Sequence, residues 1–83
     1  MKAFKIELGN KYEGPYKEEF WSTFDKAEKA AVKYANIDTP IGEKFYGGIV
    51  PGFERVDKFN WIGIGERYAN HYYMCIIDIE IKN

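Results

Sequence analysis

Only one stretch of this chain repeats its apolar residues at helical spacing, and that lone helix limits what everything else can pack against. The stretch is "STFDKAEKAAVKYANIDTP", and it opens on Ser22 with Asp25 three residues on. Ser22 is expected to accept from an early backbone N–H while Asp25 reaches back, a weaker form of the capping box. Asp25 and Glu28 also suit the positive end of the helix dipole. Turning about 100° per residue, the helix gathers Phe24, Ala27, Ala30, Ala31, Tyr34 and Ala35 on one face. Asp25, Lys26, Lys29, Lys33 and Asn36 fall opposite, on what reads as the solvated side. Asn36 is the expected stop, and Pro40 forbids continuation. The buried stripe is mostly alanine, so the helix can lie close to a sheet whose larger side chains fill the gap.

The remainder alternates. Phe4, Ile6 and Leu8 face one way and Lys5 and Glu7 the other, which is a half-buried strand. "GNKYEGP" is turn chemistry, and Tyr16 to Trp21 is expected to return antiparallel to the first strand. "IDTPIGEKFYGGIVPGFE" carries two prolines and four glycines and reads as a long loop with at most a short extended piece. Val56 to Ile64 and Tyr72 to Lys82 read as two closing strands joined around "GERYAN". The expected fold is therefore α+β, ordered β-β-α-β-β: an antiparallel sheet of about four strands with one helix on one face, the whole of residues 1–83 forming a single domain.

In the final strand Tyr73, Cys75, Ile77, Ile79 and Ile81 share a face, and Tyr72, Met74 and Ile76 share the other. The isoleucine row is read as core. Both rows are apolar, however, and one helix covers one face. The second face is then covered by the loop from Phe45 to Phe53, by another copy of the chain, or by a different protein. Uncovered, it would exceed the apolar patch that soluble monomers usually expose.

Bulk numbers narrow the function classes. With 18% aromatic residues, the chain uses rings to offset its shortness, each buried ring removing about 150–250 Å² from water. Twelve basic and 13 acidic residues give a net charge of −1, so a nucleic-acid binder would need a local patch rather than a global field. A single cysteine excludes an internal disulfide. No segment approaches the ~20 apolar residues of a membrane span, and the N-terminal residues lack the apolar core of a signal peptide. A cytoplasmic protein is the expectation.

Reactive motifs are sparse. Cys75 stands in line with isoleucines, the place for an inert core thiol. His71 falls in a turn before the strand. Four residues along a strand span about 13 Å, too far for a direct Cys–His pair. One histidine and one cysteine do not make a zinc site, and "GIGERY" lacks the third glycine and following helix of a dinucleotide loop. No catalytic residue, metal or cofactor is expected.

At "FWSTFDKAEKAAVKYA" and the closing "IIDIEI" the chain resembles a class of short, mostly uncharacterised bacteriophage and bacterial accessory proteins. The likeness rests on Phe20, Ser22, Thr23, Ala27, Glu28 and Ala31. It implies a host-takeover or counter-defence role exercised by binding a host protein, and it transfers no functional residue. The expected function is thus a non-enzymatic binding protein or inhibitor that occludes a host or self protein, with a homodimer through the second sheet face as one form. Phe45, Tyr46, Arg55, Trp61, Arg67 and Tyr68 are the expected contact residues, rings anchoring and arginines orienting. The alternative is a single-stranded RNA or DNA binder using the same aromatic and basic surface.

Overall fold

The computed structural model describes residues 2–36, 52–65 and 67–80. Strand β1 (Lys2–Asn10) turns into β2 (Gly14–Trp21), and helix α1 (Phe24–Ala35) follows. Strand β3 (Gly52–Arg55), β4 (Asn60–Ile64), a short 3₁₀-helix (Arg67–His71) and β5 (Tyr72–Glu80) complete the order. The five strands form one sheet ordered β2-β1-β5-β4-β3, with every pair antiparallel.

The α+β class and the helix packed on one face agree with the sequence; among the described residues the strand count is five rather than about four. The extra strand comes from the end of the glycine- and proline-rich stretch, where Phe53 pairs with Gly63 and Arg55 with Trp61. The strand expected from Val56 starts only at Asn60. The intervening turn is held by Asp57, whose Oδ1 accepts from the Phe59 N–H at 2.8 Å and from Asn60 Nδ2 at 2.9 Å. This aspartate-centred turn is a common device for reversing a chain. The backbone bond from Phe59 and the side-chain bond from Asn60 hold the Asp57 carboxyl below its ordinary range.

The β1–β2 turn has the same logic. Asn10 is nearly buried, and its Oδ1 accepts from the Tyr12 N–H at 2.8 Å. Gly14 closes the turn at φ +94°, where a side chain would be strained.

Helix α1 begins one residue later than the sequence suggests. Thr23, not Ser22, is the N-cap: its Oγ1 accepts from the Lys26 N–H at 3.2 Å. Strand β2 runs to Trp21, so Ser22 is spent in the bend and the next hydroxyl meets the helix. The far end is as expected, with Asn36 as C-cap.

Ala27 and Ala31 are fully buried against Ile6, Leu8, Met74 and Ile76. Bulky rings close the margins. Phe24 packs edge-on to Phe4 and Phe59, with ring centroids 5.9 and 5.4 Å apart. Phe53, Trp61 and Ala69 complete the core. The expected assignment of faces is reversed. β1–β5 register places Ile6 opposite Ile76 and Leu8 opposite Met74, so Met74 and Ile76 lie under the helix. The Tyr73–Cys75–Ile77–Ile79 row is on the open side. Strict alternation fixes which residues share a face but not which face receives the helix.

Candidate functional site

Among the described residues two surfaces stand out beside the core: the face of the sheet away from α1, and the groove between α1 and β2.

The open face is built in rows by strand register. Phe20, Lys5 and Ile77 lie in one row, and Glu18, Glu7, Cys75 and Asn60 in the next. Tyr73 and Ile62 lie side by side in the third. Phe20 is 61% exposed, Ile64 40%, Ile62 37% and Ile77 37%. The exposed apolar residues thus lie in two groups: Phe20 and Ile77, on either side of Lys5, toward one end, and Ile62 and Ile64 toward the other.

A polar knot separates them. Lys5 Nζ lies 2.9 Å from Glu18 Oε2 and 3.0 Å from Glu7 Oε1, and the Tyr73 hydroxyl donates to Glu7 Oε2 at 2.8 Å. Burial pushes the Glu7 carboxyl up, but the bonds from Tyr73 and Lys5 outweigh it and hold the group below its ordinary range. The Glu18 and Glu7 bonds raise Lys5, and burial together with the Glu7 bond raises Tyr73. Both carboxylates and the ammonium are therefore satisfied within the knot. Gly9 makes room for it: a Cβ there would come within 2.5 Å of the Gly14 carbonyl oxygen and 2.8 Å of the Tyr73 hydroxyl.

Cys75 sits half-buried in this face rather than in the core. Burial first, and the Glu7 carboxylate second, push its thiol up to about 11. At neutral pH it is almost wholly protonated, a poor nucleophile. His71 ends the 3₁₀-helix with its ring edge-on to Tyr12 at 4.9 Å. Among the described residues no cluster of three or more histidine, cysteine or carboxylate side chains could hold a metal. No described helix is long and apolar enough to cross a membrane.

The second surface is a groove of about 370 Å³ lined by Trp21, Lys26, Lys29, Ala30, Lys33 and Tyr34. Its base is organised by Glu19, which accepts from Trp21 Nε1 at 2.6 Å and from the Tyr34 hydroxyl at 2.8 and 2.6 Å. Burial and then Glu19 push the Tyr34 hydroxyl up to about 12. Lys17 Nζ lies over the Tyr34 ring, 5.2 Å from its centroid.

Of the sequence-derived contact residues, Arg55 and Trp61 have described side chains, and neither lines either surface. Trp61 is only 3% exposed and belongs to the core. Arg55 stacks on that ring at 4.7 Å and donates to Glu28 Oε2 at 2.7 Å and to the Lys58 carbonyl at 2.8 Å. It serves as a clamp between α1 and the β3–β4 hairpin. Arg67 and Tyr68 open the 3₁₀-helix. Phe45 and Tyr46 lie outside the described residues, as does the part of the expected covering loop before Gly52. Sequence reasoning did not single out Phe20, Ile62, Ile64 and Ile77, the exposed apolar side chains of the open face. It also set aside Lys26, Lys29 and Lys33 as a solvated face, although their i, i+3, i+7 spacing places them along one side of the helix.

Comparison with protein-family models, with curated proteins and with solved structures finds no match.

Proposed function

We propose that this chain is a non-enzymatic binding protein that docks a partner protein on the open face of its sheet and acts by occluding it. The observation that carries this reading is the exposure of Phe20, Ile62, Ile64 and Ile77 on a face that the helix leaves bare. Apolar patches of this kind, rimmed by polar groups, are features of protein interfaces. Electrostatics favour a protein over a polyanion at this face. Its central cation, Lys5, is already shared between two carboxylates, Glu7 and Glu18. A nucleic-acid backbone laid there would meet more negative than positive charge. The alternative of base stacking on Trp61 with Arg55 on phosphate would require both groups to leave the contacts that hold them in the fold. A role in host takeover, as the resemblance to phage accessory proteins implies, fits an occluding protein and belongs to the same proposal.

The test uses tagged protein to capture partners from lysate, with and without nuclease, beside a Phe20→Lys/Ile77→Lys double variant. Both side chains are exposed, so the variant should fold with unchanged circular dichroism. Nuclease-resistant capture by the parent and its loss in the variant is the expected result. Equal capture by both proteins, or loss of all capture on nuclease treatment, overturns the reading. Sedimentation across a concentration series then separates a second copy from a foreign partner.

A further inference from the structure

The basic groove between α1 and β2 is distinct from the open face, and we propose that it is a second binding site, for an extended acidic peptide that adds to the edge of β2. Three observations converge on it. First, its cations are uncommitted: no described residue pairs with the Lys26, Lys29 or Lys33 ammonium groups. Helix α1 divides its charge, with Glu28 turned to the β3 side and held by Arg55. The carboxylate at the groove's own base, Glu19, is taken by Trp21 and Tyr34, with Lys17 3.9 Å away. The groove is thus a local positive site on a chain of net charge −1.

Second, the floor between the lysines is apolar, formed by Trp21, Ala30 and the Tyr34 ring. It accepts an aliphatic or aromatic side chain while the ammonium groups above take carboxylates. Third, β2 is an edge strand whose outer rim pairs with no described strand. A peptide added there would lie about 4.8 Å farther out, with alternate side chains on the helix side. Those side chains fall between β2 and the lysine flank of α1. An edge strand gives backbone pairing that only a peptide can use. The rings also suit a floor better than a stacking platform: one face of Tyr34 is under Lys17, and Glu19 fixes the polar ends of both rings. Base stacking needs an open ring face.

The probe is a fluorescein-labelled peptide of about eight residues, Glu-Thr-Leu-Thr-Glu-Thr-Leu-Thr, whose every second side chain is Glu and Leu in turn, so that both kinds fall on the helix side, and which is long enough to span β2 at ~3.3 Å per residue. Fluorescence anisotropy should show saturable binding that weakens as salt rises. A Lys26→Glu/Lys33→Glu variant, both positions exposed, should melt as the parent does and bind at least about tenfold more weakly. The same peptide with Lys in place of Glu should not bind, and methylating its backbone nitrogens at alternate positions should abolish binding in one of the two phases. The Phe20→Lys/Ile77→Lys variant should bind the probe as the parent does, which separates this site from the open face. Parent-like binding by the double glutamate variant overturns the proposal. So does methylation without effect in either phase, or a labelled oligothymidine that binds more tightly than the peptide, which would assign the groove to nucleic acid.

Discussion

On the helix side of β5, Met74 and Ile76 are 0% and 3% exposed; one residue along the same strand, Ile77 is 37% exposed. The two faces of the sheet carry comparable apolar side chains, and they differ in what lies above them. One receives an alanine-lined helix that comes close enough to leave Ile6 and Leu8 without solvent contact. The other receives nothing from the described chain, and its centre is instead a hydrogen-bonded knot of Lys5, Glu7, Glu18 and Tyr73. A covered face is stabilised by area removed from water. A bare face can satisfy its polar groups internally and leave its apolar groups for a partner.

The largest expected contrast is between Leu8→Ala and Ile77→Ala, measured by urea denaturation. Leu8→Ala should cost about 2–5 kcal/mol, because it empties a fully buried site. Ile77→Ala should cost less than about 1 kcal/mol, since solvent already reaches the side chain. Equal costs would mean that the open face is covered in solution, and the distinction between the faces would fail. Tyr73→Phe is next. It removes the hydroxyl from Glu7 Oε2 while leaving the Lys5 contact, a loss of about 1 kcal/mol. A neutral result would show that the knot merely fills space.

The smallest effect is the pH dependence of the knot. Glu7 has a folded value lowered from its ordinary 4.5. Its contribution is complete above the ordinary value and is lost as pH falls through the lowered one. Lys5 has a raised value, so its contribution is complete below its ordinary 10.5 and lost as pH rises through the raised one. Glu7→Gln should flatten the acid limb of stability against pH relative to the parent. An unchanged acid limb would place the lost stability in other carboxylates.

Much of the fold is legible in the residues. The 3.6-residue period of Phe24, Ala27, Ala31 and Tyr34 located the helix, and Asn36 marked its end, because backbone hydrogen bonding there is local. The β1 alternation and the turn chemistry after it located the first hairpin. The N-cap shifted from Ser22 to Thr23 because both hydroxyls can cap, and the length of β2 chose between them. Strand β3 was legible only as at most a short extended piece of a long loop, because four residues among glycines and prolines gain their strand character from pairing with β4. The site was less legible. Trp61 looked like an anchor because its sequence neighbourhood is basic and aromatic, yet β4 turns its ring into the core and Arg55 stacks on it. The lysine groove needed Trp21 and Tyr34, thirteen residues apart in sequence, to be brought together by Glu19.

The residues alone determined that one amphipathic helix would have to serve a sheet apolar on both sides, since periodicity and burial are properties of neighbouring positions. Only the tertiary structure decided which side the helix would take. That choice rests on long-range register, Ile6 opposite Ile76 and Leu8 opposite Met74, and no local preference encodes a pairing between residues so far apart along the chain.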